Sequence, residues 1–107
     1  MAKEIGAIPL HFDIGELASI DANAKAALDL LNGKVDVLIN NAGITHRSLV
    51  EKTDPDVFRK VMAVDYQGPV ELTLASLPLL KASQGQIINV SSMAGWMPVL
   101  GRAGYCA

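Results

Sequence analysis

Three short apolar runs, Ala7–Phe12, Val35–Asn40 and Gln86–Ser91, alternate along this chain with two stretches of helical periodicity. Strand, helix, strand, helix, strand is the order of a doubly wound α/β sheet. Ala7–Phe12 reads as a first strand closed by Asp13. Val35–Asn40 is nearly unbroken in apolar residues, as a parallel strand covered on both faces should be. Gln86–Ser91 reads as the third. Between the first two, Ile20, Ala24, Ala27, Leu28 and Leu31 share one face of a helix, and Asn32-Gly33 supplies its stop. The second helix starts where Asp54 can cap and Pro55 suits the first position. It runs to about Ala82 with an interruption near Gly68-Pro69. The expected architecture is a partial Rossmann-like parallel sheet of about three strands and two helices.

Composition narrows the function classes. Half of the 107 residues are hydrophobic, and nine Lys and Arg stand against eleven Asp and Glu. That excludes a disordered acidic tail and a basic nucleic-acid-binding arm. No apolar run reaches the roughly 18 residues of a membrane span, and no apolar stretch at the start has signal-peptide length. Cys106 is the single cysteine, so no internal disulfide and no cysteine-rich metal site can form. No His or Cys cluster points to a metal. A reducing, cytoplasmic setting is the default expectation.

Ligands of doubly wound sheets sit at the carboxyl ends of the strands. Asp13, Asn41 and Ser92 all fall there. In Asn40-Asn41-Ala42-Gly43, Asn offers both donors and acceptors, while Ala and Gly let a flat ligand approach the backbone. Taken alone, that tetrapeptide is equally an ordinary strand-to-loop turn. Ser92 and Tyr105 lie on or beyond the end of the third run. A phenol can give a proton to an alkoxide, but an isolated phenol titrates near about 10 and needs a nearby cation for work near neutrality. A Ser hydroxyl can hold the substrate oxygen beside it. Singly, each is more simply a turn Ser and a partly buried Tyr.

Asp13, Asn40-Asn41-Ala42-Gly43, Ser91-Ser92-Met93-Ala94-Gly95 and Tyr105, in this order, resemble the short-chain dehydrogenase/reductases. The resemblance covers essentially the whole chain and implies NAD(P)-dependent hydride transfer between an alcohol and a ketone, with NAD or NADP as cofactor. It implies that Tyr105 is the general acid/base and that Ser92 positions the substrate carbonyl. Asp13, with Ile14 beside it, would bond the adenine ring. Asn41, Ala42 and Gly43 would line the adenine ribose side of the cofactor, with Asn40 holding that turn and Tyr105 also in the cofactor site. The substrate would be a small carbonyl or alcohol compound. Trp96, Met97 and Leu100, between Ser92 and Tyr105, would begin an apolar substrate wall.

The chain departs from the family pattern at several points. Nothing in residues 1–12 resembles the glycine-rich pyrophosphate turn, and the family's lysine would fall two positions beyond Ala107. The chain therefore reads as the central portion, residues 1–107, of an NAD(P)-binding Rossmann domain about twice as long. Its three runs correspond to the third, fourth and fifth strands of the order 3-2-1-4-5. Ala7–Phe12 is then expected either displaced from Val35–Asn40 or paired with it non-natively. Asp65 stands where many members have Asn. It lies on an apolar helix face, where a carboxylate is costly unless hydrogen-bonded. Pro69 has no N–H for the Asp65 carbonyl, the group thought to hold a water of the family's proton relay, so Asp65 is expected to keep that role.

From Val70 on, the second helix is apolar nearly all round and expects cover on both sides. The family's dimers use this helix, so a homodimer or homotetramer is expected of the parent protein. His46 and His11 read as a solvated loop residue and a strand residue without chemical roles, and Cys106 as packing. The alternative function is a non-catalytic or truncated module of the same fold that only binds nucleotide or a partner.

Overall fold

A computed structural model describes residues 2–107. The elements that position the site are four helices and two strands. Helix α1 spans Ile20–Leu30, strand β1 Val37–Asn40, helix α2 Pro55–Met62, helix α3 Gly68–Ser83, strand β2 Gln86–Asn89 and helix α4 Ala103–Cys106. Strands β1 and β2 form a two-stranded parallel sheet in the register Val37↔Gln86 to Asn40↔Asn89. The ladder is prolonged at each end, where Gln86 N–H donates to the Asp36 carbonyl and Val90 N–H to the Asn40 carbonyl, both at 2.9 Å.

Helix α1 ends where its residue pattern dictates. Asn32 and Gly33 both take the left-handed conformation, and Gly33 N–H donates to the Leu28 carbonyl at 2.9 Å. Its apolar stripe buries Ile20 and Ala24 completely or nearly so against α3. Burying an Ile side chain of this kind contributes about 1.5–3 kcal/mol.

The expected long helix is two helices joined by a π-helical turn, Ala63–Gln67. Asp54 caps α2 by accepting from Asp56 N–H, and Pro55 occupies its first turn. Pro69 explains the wider turn. It cannot donate to the carbonyl four residues back, so the ladder is reset there, and Gly68 N–H reaches the Ala63 carbonyl instead. Gly68 is also a point of close approach. A Cβ there would lie 2.2 Å from the Ile14 carbonyl oxygen and 2.8 Å from Ile14 Cγ1. The segment after Asp13 is thus docked on the junction between α2 and α3.

Two expectations are corrected. Ala7–Phe12 forms no strand; it neither pairs with β1 nor belongs to any sheet, and it is largely exposed. A strand exists through ladder hydrogen bonds to a neighbour, and the resemblance puts two further strands between this segment and β1. The described residues supply neither. The sheet therefore has two strands rather than about three. Second, β1 is not covered on both faces. Asn40 and its paired Asn89 face α3, where Asn40 Nδ2 donates to Thr73 Oγ1 at 3.1 Å. The alternate side chains Val37, Ile39 and Ile88 are 47%, 57% and 45% exposed.

Helix α3 is covered on one side only. Ser76 and Leu80 are buried, whereas Val70 and Leu74 are exposed. His11 is exposed and lies in no strand. No described helix is long and apolar enough to cross a membrane.

Candidate active site

The carboxyl ends of β1 and β2 open into one cleft of about 420 Å³. Asn41, Ala42 and Gly43 line one side of it as an exposed strip of small side chains. Ser92 and Tyr105 line it from the segment after β2, and Asp65 from the π turn. Six of the sequence-selected residues therefore meet at one place, although they come from three separate parts of the chain.

Local structure prepares each of them. Ser92 caps a short 3-10 turn, Met93–Gly95, with its Oγ accepting from Ala94 N–H at 3.2 Å. One acceptor lone pair of the hydroxyl is thereby engaged. Its own proton has no partner among the described residues and can be donated to an oxygen in the cleft. Tyr105 sits on α4, a single turn, and its phenol also has no hydrogen-bond partner among the described residues. Arg102 holds its guanidinium carbon 5.9 Å from the centre of the Tyr105 ring. Cys106 is half-buried and lines the same cleft.

Asp65 is half-buried on the π turn, and its Oδ1 accepts from Ile44 N–H at 2.8 Å. That bond meets the need of a carboxylate on an apolar face for a donor. It also anchors the loop after β1. Asn would offer the same acceptor atom, so the geometry at Ile44 does not require a charge.

Other selected residues lie elsewhere. Asn40 does not brace the Asn41–Gly43 turn. Its amide donates to Thr73 Oγ1 and, at 2.8 Å, to Asn89 Oδ1, locking β1 to α3 and β2 just below the cleft. Asp13 is exposed, and its carboxylate accepts from Gly15 N–H at 2.8 Å in a local turn. It lines a separate cleft with Glu16, Arg59 and Lys60 between its own turn and α2. Ile14 packs on Gly68. Trp96, Met97 and Leu100 are strongly exposed, Trp96 at 91%, and none of them lines the cleft of Ser92 and Tyr105. Leu100 instead lines a neighbouring apolar cleft with Leu49, Val50 and Val99. His46 is an exposed loop residue whose Nε2 pairs with Ser48 Oγ at 3.0 Å. Among the described residues no group of three His, Cys, Asp or Glu side chains is placed to hold a metal.

The residues that sequence reasoning missed are Thr45, Thr73 and Arg102. Arg102 carried a readable signal, since it stands one helical turn before Tyr105. Thr45 and Thr73 carried none, because their partners are remote in sequence.

A model of the family described as short chain dehydrogenase matches residues 1–107. The chain belongs to that family. The mouse protein "Dehydrogenase/reductase SDR family member 7" is 42% identical over 106 residues, which are 98% of this chain and 31% of that protein. Trans-4-hydroxycyclohexanecarboxylate dehydrogenase of Sinomonas cyclohexanicum is 40% identical over 101 residues, 94% of this chain and 39% of that enzyme. The chain thus spans about a third of the length of these relatives. Among solved structures, a short-chain dehydrogenase from Streptomyces avermitilis superposes with a TM-score of 0.83 at 32% identity, covering 92% of this chain and 36% of that one. An alcohol dehydrogenase from Thermococcus sibiricus, complexed with 5-hydroxy-NADP, superposes with a TM-score of 0.86 at 24% identity. It covers 97% of this chain and 45% of its own, and establishes the Rossmann fold.

Proposed function

We propose that the protein containing this chain is an NAD(P)-dependent oxidoreductase that interconverts a small alcohol and its ketone. The observation that carries the reading is the shared cleft of Asn41–Gly43, Asp65, Ser92 and Tyr105. The strip Asn41-Ala42-Gly43 fits a flat dinucleotide: it is exposed, and even a Cβ on Gly43 would meet only Asp65 Oδ1, at 3.6 Å. When bound, the nicotinamide supplies the hydride to the carbonyl carbon or takes it from the alcohol carbon. Ser92 donates a hydrogen bond from its unpaired hydroxyl to the substrate oxygen and holds it in place. Tyr105 gives its phenolic proton to that oxygen in reduction and takes it back in oxidation. Asp13 and Ile14 would serve the adenine end, and Asn40 fixes β1 against α3 and β2 just before the cofactor strip.

Asp65 belongs to the same proposal as a relay residue acting through its main-chain carbonyl. Pro69 denies that carbonyl its usual helical donor. The carboxylate meanwhile steadies the Ile44 loop. An apolar substrate, a cytoplasmic setting and a dimer or tetramer built on α3 are further parts of the proposal. The last is supported by the exposed Val70 and Leu74.

The test uses the full-length protein with NAD and with NADP against a panel of ketones and alcohols. Tyr105→Phe is expected to lower turnover about 10²–10⁴-fold with cofactor binding retained. Binding of cofactor by the unaltered protein without any turnover would favour the non-catalytic nucleotide-binding module. Asp65→Asn is expected to keep turnover within about threefold, because the Ile44 acceptor and the backbone carbonyl are both retained. A loss comparable to that of Tyr105→Phe would give the carboxylate a role of its own.

A further inference from the structure

We propose that Arg102 is a positioning residue that ties the two lips of the cleft together and holds the Tyr105 ring in place. The inference rests on the reading of Tyr105 as the acid/base group.

Helix α4 is weak by itself. It comprises only Ala103–Cys106, with Cys106 N–H donating to the Arg102 carbonyl at 2.9 Å. One hydrogen-bonded turn does not hold itself together in water, because nucleating a helix costs more than its first bond returns. The position of Tyr105 must therefore come from tertiary ties. The described structure shows three. A Cβ on Gly104 would lie 3.0 Å from Phe58 Cδ1, so α4 is pressed onto α2. The Gly101 carbonyl accepts from Ser48 N–H at 2.8 Å. Arg102 donates from its guanidinium to Thr45 Oγ1 at 2.7 Å, across 57 positions of sequence.

Arg102 is the tie that also touches the tyrosine. Its guanidinium carbon is 5.9 Å from the ring centre, inside the range of a cation–π contact. A planar guanidinium can donate from its edge while its face stacks flat on a ring, a geometry that a tetrahedral ammonium does not reproduce. No carboxylate among the described residues pairs with Arg102. Thr45 comes directly after the Asn41–Ile44 segment and itself lines the cleft. Gly101 makes the approach possible, with φ of +75°, and a Cβ there would meet Arg47 Cγ at 3.4 Å. Loop 44–48 after β1 and loop 99–102 before α4 thus meet through Arg102 and its neighbour.

The full-length protein carrying Arg102→Met, Arg102→Lys, Thr45→Val or the double change Arg102→Met/Thr45→Val tests this. Two readouts are needed: kcat and KM for cofactor and substrate, and hydrogen–deuterium exchange of residues 44–48 and 103–106. Arg102→Met is expected to lower kcat about tenfold, with cofactor KM within about twofold, and to speed exchange in both segments. Thr45→Val should speed exchange in 44–48, and the double change should add little beyond Arg102→Met alone. Arg102→Lys should keep the exchange of 44–48 near that of the unaltered protein while recovering only part of kcat. The proposal is overturned if Arg102→Met leaves kcat and exchange unchanged, or if the Thr45 and Arg102 effects simply multiply. Should Arg102→Met fail to fold, Arg102→Lys decides: a kcat equal to that of the unaltered protein sinks the ring contact, and a reduced one with exchange of 44–48 unchanged supports it. If the unaltered protein turns over no substrate with either cofactor, the oxidoreductase reading fails, while the exchange measurements still decide the tie.

Discussion

The two faces of the small sheet are built from similar residues and differ in what reaches them: α3 meets one of them at Asn40, although Ile87 on that same face stays 41% exposed. On the α3 side, Asn40 bonds both Thr73 and Asn89, and Leu80 and Ser76 are buried. On the other side, Val37, Ile39 and Ile88 lie bare. Nothing in their chemistry separates the apolar residues of the two sets. The difference is whether another element of the chain lies within reach. Directional bonds between parts present in the chain are formed completely, while apolar cover waits on whatever packs there.

The contrast between the faces gives way most forcefully at the packed side. Gly68→Ala would force a methyl group against the Ile14 carbonyl, 2.2 Å from the new Cβ. A loss of about 2–3 kcal/mol is expected, read as a lower urea midpoint of the full-length protein. An unchanged midpoint would mean that the Asp13–Gly15 turn is not docked on the π turn. Asn40→Ala comes next. It strips two bonds from the α3 side and leaves Thr73 and Asn89 short of a donor. About 1–2 kcal/mol should be lost in the same measurement, with the cleft intact enough to bind cofactor. The smallest effect belongs to the bare face. Ile39→Thr removes apolar surface that is already 57% exposed, so the stability of the 107-residue chain should move by less than about 0.5 kcal/mol. Its self-association, measured by light scattering, should fall, because exposed sheet surface and edges recruit other copies. Strong destabilisation by Ile39→Thr would show that this face is covered.

The sequence was a good guide where the determining contacts are local. Asp54-Pro55 opens α2, Asn32-Gly33 closes α1, and Pro69 marks the interruption of the long helix. Each works through one residue's backbone conformation or one capping atom. The chemistry at the ends of β1 and β2 was legible for a related reason. Parallel strands deliver their next segments to the same edge of the sheet, so Asn41–Gly43 and Ser92 had to converge. Ala7–Phe12 misled because an apolar run specifies only a strand's willingness, and the ladder needs a neighbour. Trp96, Met97 and Leu100 misled similarly, since lying between two site residues in sequence does not aim a side chain at the site.

By itself, then, the order of residues determined the element types, the caps, the break at Pro69 and the family membership that the short-chain dehydrogenase match establishes. These arise from backbone preferences and from motifs read within a few positions. Only the tertiary structure decided that Asp65 holds Ile44, that Asn40 locks β1 to α3, and that Arg102 spans from Thr45 to the Tyr105 ring. Such bonds depend on a few tenths of an ångström between groups far apart in the chain, and no spacing along the sequence encodes that distance.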